Sequence, residues 1–193
     1  MLTEFNLDVA LIHYPVINRK NELIGSAVTN LDLHDIARAS RTYGVGTYWV
    51  VTPDIQQQEL AAQIVGHWTT GYGGTVNADR ANALSLIRIC SDFDEVVETS
   101  TQKNGERPLV IATSAGSHAN SMTYGTLTKK LEQGVSVLVL FGTAWGLAPE
   151  IMEKVDCLLP SITGPGEYNH LSVRSAASIV LDRLLGDREK SAM

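Results

Sequence analysis

Short, unbroken apolar runs constrain this chain more than any other feature. They recur as LDVALIHY (7–14), TYWVV (47–51), LIRIC (86–90), PLVIAT (108–113), SVLVLF (136–141) and DCLLP (156–160). Continuous rather than alternating hydrophobicity suits strands covered on both faces, which is the environment of a parallel sheet. The intervening stretches read as helices. LDLHDIARASRTYG gathers Leu33, Ile36, Ala37 and Tyr43 on one face and meets a C′ glycine at Gly44. Thr52 before Pro53 predicts an N-cap with proline at the first helical position, and Ser91 with Asp94 resembles a capping box. LSVRSAASIVLDRLLG is amphipathic through Val173, Ala176, Ala177, Val180, Leu181 and Leu184 and stops at Gly186. NRKNEL, TTGYGGTVNA and STQKNGERP read as surface loops. Strands alternating with helices give an α/β fold with a mainly parallel sheet flanked by helices.

The 193 residues fit one domain spanning 1–193, with 187–193 as a frayed tail. Apolar residues make up 44% and charged residues 19% of the chain, which excludes a disordered class. No apolar stretch approaches the ~18 residues of a membrane span, and the acidic start lacks the basic lead of a secretion signal. A cytoplasmic protein is expected. The net charge of −6 excludes gripping nucleic acid by bulk electrostatics, so any RNA surface must be local or shared with a partner. Cys90 and Cys157 lie in apolar runs without metal-ligand spacing and are expected to be inert and buried. His13, His34 and His67 also lack such spacing, so no metal is expected.

In an open α/β sheet ligands bind beyond the carboxyl ends of strands. Three loops follow strong strands and contain glycine: TSAGSH (113–118), FGTAWGLAPE (141–150) and SITGPGEYNHLSV (161–173). Neither the dinucleotide glycine fingerprint nor a P-loop is present. Ser114 and His118 lack the glycine frame of a nucleophile elbow, which leaves a hydrolase as a minor alternative. Trp145, in a turn bounded by Gly142 and Gly146, either packs the loop or walls a nucleoside pocket. Arg38 and Arg41 share a helix face, and Asp35 is spaced to pair with Arg38.

Taken together, VTNLDLHDIARASRTYGV, VLVLFGTAWGLAPEI and YNHLSVRSAASIVLDRLLG resemble the motifs of SPOUT RNA methyltransferases over nearly all of residues 7–186. The chain is most similar to a bacterial family sometimes fused to tRNA guanine-N1 methyltransferase. The resemblance implies a deep C-terminal trefoil knot, a homodimer packed through the first and last helices, and S-adenosyl-L-methionine as cofactor. It implies a cofactor site from Thr113, Ser114, Phe141, Gly142, Thr143, Trp145, Gly146, Leu147, Ile162, Leu171 and Ser172. Arg38, Asn30 and Asn169 take the catalytic positions, with RNA, expected to be tRNA, as substrate and a tRNA guanine-N1 methyltransferase as a further partner. Three features depart from the family pattern: Ala144 or Trp145 stands where the second motif carries glutamate, the glycine common inside the first motif is missing, and Asn169 and Ser172 stand one residue further apart than in ribose-methylating members. Guanine-N1 transfer in related enzymes draws on an aspartate beyond the knotted domain, and this chain ends soon after its last helix, so ribose 2′-O-methylation is favoured over base methylation. The altered second motif keeps open an alternative, a weak or inactive nucleotide-binding module serving another methyltransferase.

Overall fold

In a computed structural model, which describes residues 5–114 and 121–186, all six apolar runs become strands of one sheet. The chain runs β1 (Leu7–Ile12), β2 (Val16–Ile17), β3 (Leu23–Ile24), α1 (Asn30–Thr42), β4 (Tyr48–Val51), α2 (Ile55–Thr69), α3 (Tyr72–Val76) and α4 (Ala78–Leu84). It continues through β5 (Ile87–Cys90), α5 (Phe93–Asn104), β6 (Leu109–Ala112), α6 (Tyr124–Glu132), β7 (Val137–Gly142), α7 (Pro149–Met152), β8 (Cys157–Leu158) and α8 (Val173–Leu185). The large sheet is parallel, in the order β5-β4-β1-β7-β6-β8.

Continuous hydrophobicity has the expected cause, because alternate residues of each central strand feed two separate cores. Leu7, Val9 and Leu11 join Val139 and Phe141 under α1, α6 and α8, through Leu33, Ile36, Leu127, Leu131, Val180 and Leu181. Ala10, Ile12, Leu138 and Leu140 face the other way, onto Phe93 and Val96 of α5 and Ile151 of α7. The buried Asp8 carboxylate in β1 accepts from Lys103 at 3.1 Å and from the Trp49 indole at 3.4 Å. Cys90 is buried, and burial pushes its thiol up to about 12; Cys157 keeps part of its surface exposed.

Helix starts and loops differ from the sequence expectations in register. Asp54, not Thr52, caps α2, its carboxylate accepting from Gln56 and Gln57; Thr52 is buried and its hydroxyl accepts from the Asp54 amide. Asp92, not Ser91, caps α5, while Glu95 reaches back to the Ser91 amide. The stretch read as STQKNGERP loop stays helical to Asn104, where Gly105 (φ 78°) ends the helix. TTGYGGTVNA holds α3, pressed so closely on α2 that a Cβ at Gly73 would lie 2.7 Å from Trp68 Cε3. Glycine there marks a close approach, not a loop. His118 and the tail 187–193 lie outside the described residues.

Beyond β1 the chain folds into the β2–β3 hairpin, which lies against the turn after β7. Ile17 N–H donates to Gly146 O at 3.0 Å and Trp145 N–H to Ile17 O at 3.0 Å, so residues 145–147 act as a third strand of the hairpin. A chain of hydroxyls fastens this unit to the sheet. Thr143 donates to Ile12 O (2.9 Å), so its oxygen must accept from Ser26 (2.6 Å), and Ser26 in turn accepts from His13 Nδ1–H (2.9 Å). His13 is fully buried, and its Nε2 has no hydrogen-bond partner among the described residues. A second proton there would be buried and unpaired, and burial pushes the imidazole down to about 4 from 6.5, against an opposing pull from Asp32.

A lowered folded pKa means full stability above pH 6.5, where both states are neutral, and progressive loss as pH falls toward 4 and only the unfolded chain gains a proton. The total corresponds to about 3 kcal/mol. In denaturant titrations between pH 6.5 and 5, His13→Asn should lower the dependence of unfolding free energy on pH by up to ~1.4 kcal/mol per unit. Equal slopes in the two proteins would remove His13 as the source.

Candidate active site

β6, β7 and β8 lie side by side, so the turns that leave them emerge at one edge of the sheet. Thr113 is held there by its N–H and its hydroxyl, both donating to Leu140 O at 3.1 and 3.0 Å, while Leu159 N–H donates to Ala112 O at 3.0 Å. Ser114 ends this described stretch, and residues 115–118 of the first loop lie outside the described residues.

The second turn is tightly crimped. A Cβ on Gly142 would sit 3.0 Å from Leu147 N, and Ala144 (φ 52°) and Gly146 (φ 123°) take left-handed conformations that reverse the chain. The expected residues here divide sharply. Phe141 is buried in the core beneath α1 and α8, Leu147 is buried in the opposite core, and the Thr143 hydroxyl is committed to Ser26 and Ile12, so these three offer a ligand main-chain groups only. Trp145 alone in the turn presents a large side chain outward, at 65% exposure.

The third loop supplies different groups. Ile162 packs partly buried against the first core, and the N–H groups of Ile162, Thr163 and Gly164 find no backbone acceptor among the described residues. Tyr124 hydroxyl donates to Pro160 O at 3.3 Å and anchors the start of the loop. Its end is anchored by Ser172, which caps α8; Leu171 beside it is 45% exposed, and its N–H donates to Asn169 O at 3.2 Å. The third loop thus carries apolar Ile162 and Leu171 together with main-chain N–H groups that have no backbone acceptor among the described residues. Among the described residues, no His, Cys, Asp and Glu group is arranged to hold a metal ion. No described helix is long and apolar enough to cross a membrane.

The residues expected from the first motif do not share one groove. Arg38 is exposed and lines an open groove of about 610 Å³ between α1 and α8, with Asp35, Thr42, Tyr43, Arg174 and Ser178. Asn30, at the opposite end of α1, lines a second groove with Leu60, Gln63, Ile64, His67 and Trp68 of α2. Asp35 pairs with Arg174 at 3.4 Å rather than with Arg38, and Arg174 also reaches the buried Asp32 at 3.4 Å. Sequence spacing could not reveal Arg174, since its partners lie more than a hundred residues away and helix periodicity reports only local pairs.

Residues 6–186 match the sequence profile of a family described as SAM-dependent RNA methyltransferase. A tRNA (guanine-N(1)-)-methyltransferase of Oleidesulfovibrio alaskensis is 46% identical over 182 residues, covering 94% of this chain but 42% of the relative. The chain thus spans about two fifths of that relative's length. An uncharacterized protein of Aquifex aeolicus is 36% identical over 180 residues, covering 93% of this chain and 88% of the relative. Among solved structures, an A. aeolicus TrmH/SpoU tRNA modifying enzyme superposes with a TM-score of 0.57 at 15% identity, covering 97% of this chain and 77% of that one, a likeness of fold. With the profile spanning all but the ends, the chain belongs to the family of SAM-dependent RNA methyltransferases.

Proposed function

We propose that this chain transfers the methyl group of S-adenosylmethionine to a nucleotide of tRNA at the carboxyl edge of β6, β7 and β8. The observation that carries the reading is the emergence of three turns from three neighbouring strands, one turn crimped by Gly142 and Gly146, another with main-chain N–H groups that have no backbone acceptor among the described residues. The tRNA substrate rests on the name borne by the longer relative.

The cofactor supplies a methyl carbon on a positively charged sulfur, and the transfer is an in-line displacement that demands alignment above all. Thr113, Ser114, Gly142, Gly146, Ile162, Leu171 and Ser172 would hold it, mainly through main-chain groups and apolar walls. Asn169, at the end of the third loop, and Asn30 would orient acceptor groups. A guanidinium is a hydrogen-bond donor and not a general base, so the part of Arg38 is electrostatic: to hold a phosphate or polarise a ribose hydroxyl. Because its groove is lined by α1 and α8 and not by the three turns, a homodimer packed through these helices would bring the Arg38 of one copy to the site of the other. A threaded C-terminal segment is part of the same proposal: β8 lies outside β6, yet α8 packs back against α1, so the chain from 159 to 172 must recross the carboxyl edge.

Two acceptors remain. The relative's name favours guanine N1 over the ribose 2′-hydroxyl expected from the sequence, and the Asp32 and Asp35 carboxylates, tied to Arg174, do not discriminate between them because either acceptor must lose a proton. The longer relative also supports a tRNA guanine-N1 methyltransferase as a partner, since a counterpart of this chain forms part of it.

Nucleoside mass mapping of tRNA incubated with the protein and labelled cofactor should show a single labelled nucleoside, whose sugar or base fragment names the acceptor. Labelled cofactor bound without any label in tRNA would instead make the chain a non-catalytic module. Arg38→Ala should lower transfer by about 10²-fold or more, with cofactor affinity by calorimetry unchanged. Loss of cofactor binding with intact single-turnover chemistry would remove Arg38 from this role.

A further inference from the structure

We propose that Trp145 and the tip of the β2–β3 hairpin form an RNA clamp, the indole stacking on an unpaired nucleobase while Arg19 and Lys20 hold a neighbouring phosphate. The inference rests on RNA being the substrate and adds how an acidic chain retains it.

Trp145 is 65% exposed, although its neighbours Phe141 and Leu147 are buried. A bulky indole left in water costs solubility unless something covers it. Yet the residue is not loose. Its N–H is tied to Ile17 O, Ile17 N–H is tied to Gly146 O, and Leu147 pairs with Val16, so the ring stands on a three-stranded unit fastened to the sheet through Thr143, Ser26 and His13. With the backbone fixed in advance, only the two side-chain torsions of the indole remain to be ordered when a partner stacks on it.

The same pairing sets the charge. Asn18, Arg19 and Lys20 directly follow Ile17, whose carbonyl receives the Trp145 amide. Arg19 and Lys20 are exposed, and neither forms an ion pair among the described residues, whereas Asn18 and Glu22 bond each other across the tip at 2.7 Å. Between Phe141 and Met152 the only charged side chain is Glu150. The turn therefore offers one aromatic face and two cations close by, in a chain whose net charge of −6 opposes wider phosphate binding. Stacking needs no net charge and suits splayed loop nucleotides, and a cation beside it fixes the backbone. Tyr14, at 36% exposure after β1, and Tyr168, at 77% in the third loop, place further rings on the same edge.

The test is binding of a fluorescent unmodified tRNA transcript at several salt concentrations, beside calorimetry with S-adenosylmethionine alone. In the absence of cofactor, Trp145→Ala should weaken tRNA binding about tenfold or more, with an unchanged salt slope, and Trp145→Phe should recover most of the loss. The double variant Arg19→Ala, Lys20→Ala should reduce the slope of log affinity against log salt by about 0.7 for each phosphate contact removed. If Trp145→Ala binds tRNA like the wild type, or loses cofactor affinity instead, the clamp is overturned while the methyltransferase reading stands. A wild-type protein that binds no tRNA would overturn both.

Discussion

The carboxyl edge depends on β7 occupying the slot between β1 and β6. Its two neighbours would otherwise leave rows of buried N–H and C=O groups unpaired, and few such groups survive in folded proteins. Register then does the rest. Leu7 opposite Val137 fixes Ile12 opposite Gly142, and on the other side Ala112 lies opposite Leu140. From this alignment Thr143 meets Ile12 O, Thr113 meets Leu140 O, and the second turn is delivered against the hairpin. A shift by one residue would exchange the two cores, because every side chain of β7 would change face.

The fold was legible because its dominant signal is local. Six apolar runs gave six strands of the main sheet, since a strand buried on both faces must be apolar at consecutive positions, and Gly44 (φ 74°) follows α1 where backbone freedom predicts, whereas Gly186 ends α8 in an extended conformation open to any residue. Helix starts slipped by one or two residues because Thr52, Asp54, Ser91 and Asp92 are all competent caps, and the choice among them is made by tertiary geometry. The short β2 and β3 carry no strand signal of their own. They exist because the turn after β7 offers them a partner, which no local pattern announces.

The candidate site was legible at the level of loops and not of side chains. Three turns gathered at one edge follow from strand order, but sequence cannot say that Phe141 and Leu147 point into opposite cores while Trp145 points outward, since all three are apolar residues of one turn. Asn30 and Arg38 look like one constellation in the first motif, yet on a helix eight residues span about 12 Å, enough to place them in different grooves. His13 read as an unremarkable histidine because its partner Ser26 lies just after the hairpin, and the Thr143 that Ser26 bonds lies more than a hundred residues away.

Arg174 links the two ends of the functional surface. It is the second residue of α8, just after the cap at Ser172 that closes the third loop, and it bonds both Asp32 and Asp35 of α1. Asp32 is nearly buried and also takes the Thr29 hydroxyl at 2.6 Å, so its charge is stabilised only while α8 stays in register with α1. The groove that carries Arg38 and the end of the third loop are therefore joined by the two ion pairs of Arg174, beside the apolar packing of Leu33 and Ile36 on Val180 and Leu181. Moving α8 along α1 would displace the end of the third loop and leave a buried carboxylate without its cation, which couples the helix packing proposed for a subunit interface to the shape of the proposed cofactor site.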